Sequence, residues 1–195
     1  GAAGAHLTAL PRFVRQHYGA EWDETWADLL RSLYQVTPPR RTCAPDEMAP
    51  FQPPVWADAA GLGALLKGEI PPFAPDLPWA RLRSQLTTCA AKVQRCLPDW
   101  EAFALAVEYL EHLHWRCNAV IQAYADPAQR HVLLEAIARR DEAIADAMLR
   151  AWDQTRFADD PAKEKLLADL SLEDQPLLGM RRAAAFSKQL SERGG

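Results

Sequence analysis

An unbroken run between Pro98 and Tyr124 constrains this chain more than any other feature. Within it Trp100, Phe103, Val107, Leu110, His114, Cys117, Ile121 and Tyr124 recur at steps of three and four. That spacing puts them on one face of a helix of about seven turns, since 3.6 residues complete a turn. The stripe is unusual in carrying a histidine and a cysteine at its centre. His112, Glu108 and Glu111 lie alongside it, so any chemical site is sought here first.

The rest of the chain reads as helices punctuated by proline. Thr8 can cap a short first helix that Gly19 stops. Trp22, Trp26, Leu29, Leu30, Leu33 and Tyr34 then step along a second amphipathic helix that Pro38 and Pro39 end. Residues 37–54 hold Pro38, Pro39, Pro45, Pro50, Pro53 and Pro54, an extended connection, and Pro71, Pro72, Pro75 and Pro78 form another. Between them a short helix over residues 58–67 can bury Leu62, Leu65 and Leu66. Trp79, Leu82, Leu86, Cys89, Val93 and Cys96 predict a helix over 79–97, with Cys89 and Cys96 on one face. Asp126-Pro127 and Asp160-Pro161 are helix-start signals, because proline costs nothing where the N–H has no partner. Leu133, Leu134, Ile137, Ile144, Met148 and Trp152 mark a helix over 127–155. Ser171 to Asp174 resembles a capping box, and Leu177, Met180, Ala184 and Leu190 mark a last helix.

No useful stretch alternates apolar and polar residues, so no sheet is expected, and no repeat recurs at a fixed period. The expected fold is all-α: an irregular multi-helix bundle with long antiparallel helices and two proline-rich connectors. We read residues 5–195 as one helical domain. It comprises an N-terminal helical pair (5–36), connectors with a short helix (37–78) and a main bundle (79–195). The chain of 195 residues, 49% hydrophobic and 25% charged, is long enough to bury a core.

A net charge of −4 gives no general attraction to nucleic acid or anionic membrane. No stretch reaches the ~18 apolar residues of a membrane span. Arginine far outnumbers lysine, which suggests a GC-rich bacterial genome. The four cysteines, Cys43, Cys89, Cys96 and Cys117, form no CxxC pair. They are expected to be reduced, mostly buried thiols of a cytoplasmic protein.

Glu111 and His114 make an E-x-x-H element, the i, i+3 spacing with which helical carboxylate proteins aim two ligands at one metal. Such sites need a second element. His131 and Glu135, one turn apart, are the nearest substitute, so Glu111, His114, His131 and Glu135 form the candidate set for a transition metal. The structural alternative makes His114 a half-buried group bonded to Glu111 or a carbonyl, and His112 an exposed one beside Glu108. Cys117 follows His114 on the same face, but an apolar stripe favours an inert thiol over a nucleophile. No serine elbow, phosphate loop or dinucleotide fingerprint is present. No catalytic residue is therefore assigned, and no cofactor other than the alternative metal.

The stretch Leu10-x-x-Phe13, Tyr18-Gly19, Trp22, Trp26 and Leu29-Leu30 resembles the helical segment preceding the catalytic domain in some RNA cytosine-5 methyltransferases. The cofactor loop and catalytic cysteine motifs of that family are not found here, so no residue role is carried over. The leading expectation is a non-enzymatic helical protein-interaction domain: an adaptor, a chaperone or a subunit of a larger assembly. Its partner would be another protein, met through aromatic residues such as Trp22, Trp26, Phe51, Trp56 and Trp115. The alternatives are a metal- or cofactor-dependent helical enzyme centred on Glu111 and His114, and an RNA-binding accessory domain whose arginine pairs (Arg40-Arg41, Arg139-Arg140, Arg181-Arg182) gather on one face.

Overall fold

The structure is a computed structural model that describes residues 9–36, 56–69, 77–152 and 176–193. The described residues are helical and contain no strand, in agreement with an all-α multi-helix bundle. Residues 9–13 are helical and pass into a π-helical turn, α1 (Val14–Tyr18). There follow α2 (Glu24–Val36), α3 (Ala59–Leu66), α4 (Trp79–Ala90), α5 (Leu97–Ala125), α6 (Arg130–Trp152) and α7 (Pro176–Arg193). No helix is long and apolar enough to cross a membrane, among the described residues. The prolines and Phe51 of residues 37–55, the second connector through Pro75, and the start signals at Asp160 and Ser171 lie outside the described residues.

The chain divides into two compact units, Gly1–Pro39 with Asp76–Ala104, and Arg40–Pro75 with Leu105–Gly195. The boundaries fall in the two proline-rich connectors, after Pro39 and after Pro75, and again after Ala104 within α5, so the 79–195 bundle drawn from the sequence is shared between the units.

In the first unit, Gly19 ends α1 at φ 67, the left-handed stop expected of it. A β-carbon there would also crowd the side chains of Arg95 and Gln94 at 3.2–3.3 Å. α2 packs on α4, and the buried side chains include Tyr18, Trp26, Leu29, Trp79, Leu82, Cys89 and Trp100. Tyr18, Trp26 and Trp100 form an aromatic knot. Tyr18 stacks on Trp26 at 5.9 Å, and Trp100 meets both edge-on at 5.5 and 5.4 Å. Such ring pairs add about 0.5–1.5 kcal/mol each beyond the area they bury.

α4 stops at Ala90 and does not run on to residue 97. Its last turn tightens, with Lys92 N donating to Cys89 O and Val93 N to Ala90 O. Gln94 N and Arg95 N then both donate to Tyr18 O, at 2.9 and 3.1 Å. These tertiary bonds satisfy amides that continued helix would have used, so local periodicity loses to an external acceptor. Cys96 therefore sits outside the helix at φ 50, not on the face of Cys89, and α5 begins at Leu97 with Pro98 in its first turn.

In the second unit, Asp58 caps α3 by accepting from Gly61 N at 2.9 Å. α3 buries Leu62 and Leu65 with Trp56 against Val120 and Ala123 of α5 and Leu134 and Ile137 of α6. A second cluster joins Tyr109 and Leu113 of α5, Ile144 and Ala145 of α6, and Met180 of α7. The pairing order fixes direction. Arg130 reaches Ala123 O, Asp141 meets His112 and Arg116, and Ile144 meets Tyr109. Numbers rise along α6 as they fall along α5, so these neighbours are antiparallel, as their short connection predicts. Asp126 shapes that connection by accepting from Ala128 N, and α6 begins at Arg130, three residues after the predicted start. α7 packs along α6 in turn, antiparallel to it, with Met180 near Ile144 and Leu190 near the Leu134 cluster.

Candidate functional site

The residues singled out from the sequence are dispersed. His114 is buried, with its Nε2 3.0 Å from Asn118 Nδ2 one turn along the same helix. Glu111 is half-buried. His131 and Glu135 are exposed on α6, where Glu135 faces Arg139 at 3.8 Å. Among the described residues, the His, Cys, Asp and Glu side chains that bring three donors within 4.8 Å of one another lie elsewhere in the chain. Of the aromatic candidates, Trp26 and Trp56 are buried in different units, Trp22 and Trp115 are half-buried, and Phe51 lies outside the described residues. Arg140 covers the Trp115 ring at 4.9 Å.

Chemistry concentrates instead in two clusters, one in each unit. The first is a buried polar network where α5, α6 and α7 meet. His112 and Arg116 stand one turn apart on α5, Asp141 on α6 and Ser187 on α7, and none is more than 1% exposed. Arg116 Nε donates to both Asp141 oxygens, at 2.9 and 3.0 Å. Its Nη1 donates to the carbonyl of Trp56 at 3.0 Å and its Nη2 to Ser187 Oγ at 3.2 Å. The guanidinium plane lies on the Trp56 ring, 3.4 Å from its centroid. Ser187 Oγ donates to Asp141 Oδ2 at 2.6 Å, and His112 Nε2 lies 2.6 Å from Asp141 Oδ1. Since Asp141 accepts from all three, His112 carries its proton on Nε2 and its Nδ1 is left with no partner.

Burial pushes His112 below the ordinary histidine value, outweighing the bond to Asp141 that favours its charged form; Arg140 and Arg116 push the same way as burial. The imidazole is therefore neutral at pH 7. Burial also lowers the Arg116 value and raises that of the neighbouring Tyr109 hydroxyl. Cys117 is pushed up by burial to about 11, which makes it the inert thiol its apolar stripe implied. The side-chain types are those of a hydrolytic triad, but the order is different. Aspartate stands between serine and histidine, so His112 is not placed to take the Ser187 proton. Sealed and mutually bonded, the network pins three helices and Trp56, ahead of α3, in one register.

The second cluster lies on the surface of the first unit. His17 is in the last turn of α1, Cys96 precedes α5, and Asp99 is in the first turn of α5. His17 Nε2 is 3.0 Å from Asp99 Oδ2. The donor atoms of all three lie within 4.8 Å of one another. Phe13 stacks on the His17 ring at 5.0 Å and 13°, and Tyr18 meets its edge at 4.8 Å. Trp100 N donates to Cys96 O, and the two amides on Tyr18 O tie the end of α1 to the turn that carries Cys96. Cys96 and Asp99 are exposed and His17 is half-buried, so solvent reaches all three.

Neither cluster was identified from the sequence, and His112, expected to be exposed, is fully buried. A signal for the first was present. On α6 the apolar positions Ile137 and Ile144 leave a gap that Asp141 fills at core spacing, and Ser187 fills the same gap on α7 between Ala184 and Leu190. A polar residue at a core position calls for buried partners. The second cluster gave no such signal, because it depends on a turn replacing the last part of a predicted helix. The chain matches no protein-family model, and no curated protein or solved structure is significantly similar to it.

Proposed function

We propose that this chain is a non-enzymatic helical interaction module, a part of a larger assembly that binds another protein. What carries the reading is the apolar border of the surface cluster. Phe13 is 48% exposed while stacked on His17, and Leu97, next to Cys96, is 50% exposed. Two large apolar side chains held on ordered helical backbone favour contact with a partner, since ordered apolar surface gains free energy when covered. The inward spending of His112, Arg116, Asp141 and Ser187 on one another supports the same reading. Those groups hold the scaffold and are not presented to a substrate.

The reading is tested with the full chain and its Phe13→Glu/Leu97→Glu variant. Sedimentation of each alone detects self-association, and affinity purification from the source cells detects a stoichiometric partner. Wild type is expected to associate and the double variant to lose the association with unchanged circular dichroism. A wild-type chain that stays monomeric and retains nothing, or a double variant that retains the same partner, overturns the reading.

A further inference from the structure

The surface cluster of the first unit has a second property, independent of any protein partner. His17, Cys96 and Asp99 supply an imidazole nitrogen, a sulfur and a carboxylate oxygen from three positions that the fold draws together. In a tetrahedral zinc site the donors stand roughly 2.0–2.3 Å from the ion and so roughly 3.3–3.8 Å from each other. The His17–Asp99 separation of 3.0 Å and the 4.8 Å envelope of the full set bracket that range. Small side-chain rotations close the remaining distance.

Two features point to a built site. The imidazole is held in its plane by Phe13 and Tyr18 and turns its Nε2 toward Asp99. Cys96 occupies the left-handed region at φ 50, the lone non-glycine residue to do so among the described residues. That conformation costs a side-chain-bearing residue about 1–2 kcal/mol, and glycine or asparagine would hold it more easily. A cysteine kept there keeps its sulfur near His17 and Asp99.

The donor set selects the ion. A sulfur ligand disfavours magnesium and calcium, which take oxygen donors. A single sulfur among nitrogen and oxygen donors suits a borderline divalent ion better than copper(I). We propose that His17 Nε2, Cys96 Sγ and an Asp99 carboxylate oxygen form a mononuclear Zn2+ site with its fourth position open to solvent. Binding needs a thiolate and a bare Nε2, so the thiol proton goes to buffer, the proton between His17 Nε2 and Asp99 moves to Nδ1 or to buffer, and the His17–Asp99 contact gives way to two metal bonds. Three protein ligands and an open position leave room for water or for a donor from a bound partner.

The test uses the full chain, stripped of metal and kept reduced. Titration with Co2+ is expected to give thiolate-to-cobalt charge-transfer absorption that saturates at one equivalent, and Zn2+ is expected to abolish it by displacement. Competition with a chromophoric chelator then gives the Zn2+ affinity. Cys96→Ser is expected to remove the absorption. His17→Ala and Asp99→Asn are each expected to weaken Zn2+ binding at least about tenfold. All three positions are solvent-accessible, so circular dichroism of the variants is expected to match wild type. Absence of the absorption in the wild-type chain overturns the proposal and leaves only the His17–Asp99 contact. Absorption that survives Cys96→Ser places the metal on another cysteine and also overturns it. Saturation at half an equivalent, a metal shared between two chains, overturns the mononuclear site.

Discussion

The two polar clusters use closely related side chains in opposite ways. In the second unit His112, Arg116, Asp141 and Ser187 are shut away from water and bonded to one another across three helices. In the first unit His17, Cys96 and Asp99 stand at the surface beside a strained turn, with the 3.0 Å contact of His17 Nε2 with Asp99 Oδ2 among them. Burial decides what each can do. A buried charge must be paired or it destabilises, so the inner network is a condition of folding. The outer donors are free to exchange their partners, and such groups can bind. Histidine and aspartate in a helix therefore say little until their exposure is known.

The largest expected effect breaks this comparison at its inner end. Asp141→Ala leaves Arg116 buried without its carboxylate and is expected to cost about 3–5 kcal/mol. Asp99→Ala, at an exposed contact with His17, is expected to shift stability by less than about 1 kcal/mol. Urea unfolding of the two variants followed by circular dichroism checks both, and equal losses would show that the clusters do not differ as described. Arg116→Met combined with Asp141→Leu sharpens the point. Removing both charges is expected to recover much of the loss, because the penalty lies in the unpaired partner. A double variant as unstable as Asp141→Ala would mean that the network contributes more than charge compensation.

A smaller effect follows from His112. Its folded value lies below the ordinary 6.5, so the unfolded chain binds a proton that the native chain refuses. Stability is therefore full above about pH 6.5 and falls as the pH drops below it, by up to about 1.4 kcal/mol per pH unit. Asp23 sits in a different window. Lys92 holds its value below 3.8, so its contribution is lost only in stronger acid. Comparing unfolding free energies at pH 7 and 5.5, wild type is expected to lose more than His112→Gln, whose amide can still donate to Asp141. Equal losses would place the acid sensitivity outside the buried network.

Much of this was legible in the sequence because it rests on local rules. Stepped apolar residues gave the helices, Gly19 gave the stop of α1, and the short link at Asp126 gave the antiparallel pair. The register of α5 was only half legible. Its stripe named Trp100, Val107, Leu110 and Cys117 as buried, and they are, but Tyr109, His112, Leu113, Arg116 and Val120 are buried too. A helix covered on most sides has no polar face against which to read exposure, and so His112 was placed outside. The end of α4 was not legible, because Tyr18 O takes the amides of Gln94 and Arg95 from more than seventy residues away in sequence. That one non-local acceptor moves Cys96 out of a core stripe and into the donor cluster.

The smallest expected effect tests the outer end of the comparison, and its sign matters more than its size. If Cys96 is held at φ 50 against its preference, Cys96→Gly removes about 1–2 kcal/mol of strain. Glycine also makes the unfolded chain more flexible, which returns roughly 0.4–1 kcal/mol of that gain. The net expectation is a metal-free protein more stable than wild type by about 0.5 kcal/mol, measured by urea unfolding in the presence of chelator. With Zn2+ added, the order is expected to reverse, because only wild type gains the binding free energy. A glycine variant that is less stable than wild type without metal would mean that the Cys96 side chain contributes packing at this turn. Its left-handed backbone would then need no ligand to account for it.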